Sequence, residues 1–150
     1  MANLTIRRSG TVDLWSLARA TVAAVVVGLA ANAVLYLLAV VGGFIDERVV
    51  LPSLLGRGPL TLASVSLTTL AATVAAGMVL AAFFAATRRP DRIFRIVATL
   101  LALASLAMPL TIPGPPLAMR LTMAAFHVVV WAVSVGVLAT MAGRDTAGAA

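Results

Sequence analysis

A chain of 150 residues with 62% hydrophobic and only 11% charged side chains cannot cover a water-soluble core, because soluble domains carry about 25% charged residues. Its basic residues are all arginine, and the net charge of +6 sits in short loops and tails beside long apolar runs, which suits headgroups and topology rather than nucleic acid. The absence of cysteine excludes disulfides, thiolate metal sites and thiol redox chemistry.

Residues 1–10 are expected to be mobile. Thr11 is placed to cap a helix whose first turn holds Asp13, an acid at the positive end of the helix dipole, and Trp15 falls where an interfacial aromatic belongs. Arg19 is long enough to snorkel back to the headgroups. Ala20 to Ile45 is then free of charge, as are Leu60 to Thr87, Ile96 to Met119 and Leu121 to Gly143. About 20 apolar residues, rising about 1.5 Å each, cross a hydrocarbon core of about 30 Å, so every run is long enough to span a bilayer. The predicted spans are 20–45, 60–87, 94–112 and 120–142. The first is longer than a signal-peptide core and no polar cleavage segment follows it, so it is read as an uncleaved span.

Gly42-Gly43 closes the first helix, and residues 46–59, punctuated by Pro52, Gly56, Gly58 and Pro59, form the longest connection. Arg88-Arg89-Pro90-Asp91-Arg92 reads as a tight turn in which Pro90 stops the second helix and Asp91 caps the third. Pro109, Pro113, Pro115 and Pro116 are expected to end the third helix and stiffen the turn into the fourth, with a mobile tail over 144–150. The fold class is therefore all-α, a single domain over 1–150 built as an antiparallel bundle of four transmembrane helices.

The arginines orient it. With the N-terminus cytoplasmic, the inner side holds Arg7, Arg8, Arg19, Arg88, Arg89, Arg92, Arg95 and Arg144, and the outer side only Arg48, Arg57 and Arg120. Both termini are then inside and the protein is expected in the cytoplasmic membrane. Arg88, Arg89, Arg92 and Arg95 are candidate contacts for anionic lipid, although orienting the helices explains them equally well.

Apolar helices gain nothing hydrophobic by meeting in lipid, so their contacts fall where small residues let backbones approach. Candidate stripes at four-residue spacing are Ala20, Ala24, Gly28 and Asn32 on helix one, and Thr69, Thr73, Gly77, Ala81 and Ala85 on helix two. Helix four offers Ala124, Val128, Ala132, Gly136 and Thr140.

Polar residues within spans cost free energy unless partnered, which makes each a site hypothesis. Asn32 and Tyr36 lie one turn apart on helix one. Tyr36, Ser66, Thr69, Ser105 and His127 all fall about 10 to 14 Å from the outer boundary, counted along each helix. Together with Asn32 they form the candidate polar cluster. His127, the sole histidine, is suited to ligating a metal, shuttling protons or recognising a headgroup; the alternative is a neutral imidazole bonded to Ser105, Tyr36 or a carbonyl. One histidine without an acidic or thiolate companion makes a poor metal site, and Ser105 with His127 lacks the carboxylate a hydrolytic pair needs. No cofactor is expected. The spans contain no Asp or Glu, which argues against proton- or sodium-coupled antiport.

Asn32 with Tyr36-Leu37-Leu38, the Arg89-Pro90-x-Arg92-x-Phe94-Arg95 turn, Ser105-x-x-x-Pro109-Leu110 and Phe126-His127-Val128 resemble a family of uncharacterised four-helix bacterial membrane proteins common in actinobacteria and their high-GC relatives. The resemblance covers about residues 15 to 142; the family usually has Met before the histidine, where this chain has Phe126. It implies a fold and a location and assigns no catalytic residue. The expected function is a non-enzymatic membrane protein binding membrane lipid or a partner membrane protein, including another copy of itself. A small transporter or permeation subunit, with its path around His127, is the alternative.

Overall fold

The computed structural model describes residues 14–46, 48–53, 56–87 and 89–140; the expectations placed on residues 1–10, Thr11, Asp13, Arg88 and 144–150 lie outside them. Four long helices dominate: α1 (Leu14–Val41), α2 (Leu62–Ala86), α3 (Pro90–Thr111) and α4 (Leu117–Val133), the last continuing into a π-helical turn over Ser134–Leu138. All four are long and apolar enough to cross a membrane.

Their ends follow from local chemistry. Gly43, with φ of 70°, lets the chain leave α1 in the left-handed region, so that Phe44 N–H donates to the Ala39 carbonyl and Gly43 N–H to the Val40 carbonyl. Thr61 and Ser64 close the start of α2 reciprocally: each side-chain oxygen accepts the other's backbone N–H. Between these ends, the connection expected to be irregular contains a short antiparallel pair, β1 (Leu51–Ser53) with β2 (Gly56–Gly58), so the all-α reading is amended by one small hairpin. Gly56, at φ of 107°, supplies a backbone that other residues resist.

Three helix boundaries differ from expectation. Pro90 does not stop α2, which ends at Ala86 with Thr87 N–H donating to the Phe83 carbonyl; it is the first residue of α3, where its missing N–H has no helical partner to lose. Asp91 consequently lies in the first turn of α3 and Arg89 occupies the cap position. Pro109 sits inside α3, where it withholds the helical N–H from the Ser105 carbonyl, yet the helix runs on to Thr111 and closes with Ile112 N–H donating to the Met108 carbonyl.

The helix faces are arranged as lipid demands. Leu and Val side chains such as Val22, Leu38, Leu100, Leu103 and Leu121 are exposed, while small and polar residues are buried between helices. On α1 the buried face includes Ala20, Ala24, Gly28 and Asn32, and on α2 Thr69, Thr73 and Gly77 form the facing seam, which fades beyond them: Ala81 is half-buried and Ala85 exposed. A Cβ added to Gly28 would lie 3.4 Å from Thr69 Cγ2, and one added to Gly77 only 2.6 Å from Thr21 Oγ1. The helix-four stripe is different: Val128, Ala132, Gly136 and Thr140 are exposed, and among the described residues nothing lies within 4 Å of a Cβ built on Gly136. Four-residue spacing defines a face but not its rotation about the axis, and α4 instead buries Met119, Thr122, Phe126, Ser134 and Leu138. One apolar cluster, Leu17, Ala20, Ala24, Leu80, Phe94, Leu138 and Ala139, collects the start of α1 and α3 with the ends of α2 and α4.

The seam makes a directional prediction. Gly77→Ala drives a methyl into Thr21, whose hydroxyl is held by the Leu17 carbonyl at 2.9 Å, and is expected to destabilise the bundle by about 1–3 kcal/mol. Adding Thr21→Ala recovers part of that loss, and Gly136→Ala is neutral or stabilising; unfolding in graded denaturing detergent measures all three.

Candidate functional site

Alanines set the site's dimensions. Where α2 presents Ala72, Ala75 and Ala76, and α3 presents Ala98 and Ala102, the side chains are too short to fill the space between α2, α3 and α4. A cavity of about 690 Å³ remains, within the range of small-molecule pockets. Along α2 its lining runs from Ser64 to Val79, about 22 Å of helix, and along α3 from Phe94 to Met108. Thr68, Ala72, Ala75, Leu101 and Met108 on its wall are exposed, so the space is an elongated groove between the helices, open along part of its length. Leu51, Pro52 and Gly58 of the hairpin meet one end, and Phe94 of the apolar cluster meets the other.

Most hydroxyls in the spans spend their proton on their own helix. Thr68, Thr69 and Thr73 donate to the carbonyls of Ser64, Val65 and Thr69 at 2.8 Å, and Thr122 to that of Ala118 at 3.0 Å. With its proton committed to Val65, Thr69 Oγ1 acts as acceptor toward α1, and Asn32 Nδ2 donates to it at 2.7 Å. That bond fixes the orientation of the Asn32 amide. Among the described residues, Asn32 Oδ1, Ser134 Oγ and, in the first turn of α3, Asp91 Oδ1 are buried without a hydrogen-bond partner. Asn32 and Ser134 line the cavity.

Of the six residues in the expected cluster, Asn32, Thr69, Ser105 and His127 line this one cavity, whereas Tyr36 and Ser66 do not. Tyr36 instead ties α1 to the end of the hairpin connection, its hydroxyl donating to the Leu60 carbonyl at 3.3 Å, and Ser66 is half-buried on α2. Ser105 donates to the Ala102 carbonyl at 2.8 Å, so neither it nor Tyr36 donates to His127. His127 is half-buried on the cavity wall. Arg89, Arg92 and Arg95 are exposed around the first turns of α3, and Arg88 lies outside the described residues.

Sequence reasoning missed Ser134 and the Trp131–Thr99 bond, in which indole Nε1 donates to the threonine hydroxyl at 3.2 Å and joins α4 to α3. Ser134 was detectable: it stands seven residues after His127, two turns along the same face. A search confined to residues at one depth passes over it. The π-helical turn that begins at Ser134 leaves no comparable mark in sequence, although such turns recur at functional sites.

No curated protein and no solved structure matches the chain. A family of unknown function, DUF6069, matches residues 13–144, nearly all of the sequence and every one of the four helices. The chain belongs to that family.

Proposed function

We propose that this protein is a multi-pass component of a bacterial cytoplasmic membrane, an antiparallel bundle with both termini inside, that holds one lipid-class molecule between its helices without transforming it. The observation that carries this reading is the long apolar groove between the helices, whose lining among the described residues contains no arginine, aspartate or glutamate. A groove of that length and polarity suits an extended apolar chain, since a charged ligand would meet an uncompensated desolvation cost. The gathering of the start of α1 and α3 with the ends of α2 and α4 supports alternating helix directions. The arginine asymmetry supports the orientation.

The non-enzymatic part of the reading rests on the same walls. Ser105 has committed its proton to a backbone carbonyl, and no lining carboxylate stands ready to orient His127 as a base. A permeation role draws on the cavity's reach from the hairpin to Phe94, and it requires solute flux across vesicles that the binding role does not.

Two measurements follow. Gently solubilised protein is expected to carry a bound lipid by native mass spectrometry; Ala102→Phe, which fills the cavity, removes most of it, while Leu103→Phe on the exposed face leaves it bound. Equal occupancy in both variants, or none in the unmodified protein, contradicts the reading. Because the chain has no cysteine, a membrane-impermeant maleimide reports orientation directly: Arg57→Cys is labelled in intact cells and Arg92→Cys only after permeabilisation.

A further inference from the structure

Resting on the lipid-binding reading above, we infer that the groove takes an uncharged lipid from the bilayer midplane and holds a carbonyl oxygen of that lipid at the His127 imidazole. The entrance lies to the side. Leu51, 4% exposed, and Phe94, 1% exposed, stand at the two ends of the groove, whereas Ala72 and Ala75 of α2 and Leu101 of α3 line it about halfway along their helices and are exposed. The gap between α2 and α3 therefore faces lipid tails, and a molecule dissolved among them enters without passing through water.

One lining side chain has a proton within a ligand's reach. The hydroxyls of Ser64, Thr68, Thr69 and Ser105 donate to carbonyls three or four residues back, and Trp131 Nε1 donates to Thr99. Asn32 donates to Thr69, and the unpaired oxygens of Asn32 and Ser134 are closed off from the space. His127 is the exception: among the described residues its imidazole makes no hydrogen bond, yet neither ring nitrogen is sealed inside the protein. Imidazole keeps at least one N–H in either protonation state, and an N–H unpaired in hydrocarbon is costly, so an acceptor suits it.

Depth then selects the lipid. His127 is the eleventh of the 22 residues in the span Leu117–Leu138, about 15 Å from either end. A phospholipid keeps its charged head and ester carbonyls near the interface and presents only methylenes to a side chain at that depth. A carbonyl that reaches the midplane belongs to a lipid with no charged head, of the long-chain ketone or quinone type. A carboxylate there would find no lining arginine to balance it.

The test titrates the full chain in mild detergent with dioctyl ketone, heptadecane and phosphatidylglycerol, read by native mass spectrometry. The ketone and the alkane share chain length and differ only in the carbonyl. The ketone is expected to bind about three- to tenfold more tightly than the alkane, the size of one hydrogen bond within a membrane. His127→Leu removes that preference and leaves heptadecane and phosphatidylglycerol unchanged, while His127→Gln, which restores a donor, recovers part of it. Infrared spectra need no variant: the carbonyl stretch of the bound ketone is expected at lower frequency than that of the ketone dissolved in heptadecane. Equal binding of ketone and alkane, a preference that survives His127→Leu, or an unshifted stretch overturns the His127 assignment and leaves the lipid groove standing. Phosphatidylglycerol binding that falls with His127→Leu as far as the ketone's overturns the uncharged class. Failure of every probe to bind overturns both readings.

Discussion

The close approach of α1 and α2 is the constraint on which the bundle depends. Lipid tails are as apolar as leucine, so burying leucine between helices gains nothing, and association has to come from backbone proximity and polar contacts. Gly77 provides the proximity, since Thr21 of α1 already occupies the space a side chain would need there, while Gly28 brings the same two helices to ordinary van der Waals contact at Thr69. Asn32 adds the polar contact, a 2.7 Å bond to Thr69 across the same seam. Measured hydrogen bonds of this kind in membranes are worth only about 0.6 kcal/mol on average, so the bond sets register more than it supplies stability.

The cavity is the counterpart of that seam. Once α1 and α2 are locked along one face, the adjoining face of α2 presents alanines toward α3 and α4, and these two helices are joined instead by Trp131 reaching Thr99 and by the apolar cluster around Phe94. Space persists because short side chains face one another over several turns. The π-helical turn at Ser134 falls where the cavity wall gives way to the packed cluster containing Leu138 and Ala139.

Much of this was legible in the sequence. The spans were, because hydrocarbon thickness fixes how many apolar residues a crossing needs, and so were Gly43 as a helix terminator and the small-residue faces of α1 and α2. Of the five residues grouped by counting depth along their helices, Thr69, Ser105 and His127 line the cavity and Tyr36 and Ser66 do not. Tyr36 fell outside the cavity because depth says nothing about which way a side chain faces, and the helix-four stripe failed for the same reason. The hairpin hid behind Pro52, Gly56 and Gly58, residues that signal irregular turns, while Pro109 near a helix end costs too little to stop it. Ser134 was overlooked because a lone serine in a span ordinarily bonds back to its own helix; that it does not here is a property of packing.

An experimental structure of the protein in lipid nanodiscs tests the central claim most directly. The account predicts one elongated density between α2, α3 and α4, beside Ala76 and Ala98. Helices α3 and α4 closed onto α2 with no space between them, or a cavity filled by ordered water alone, would contradict it.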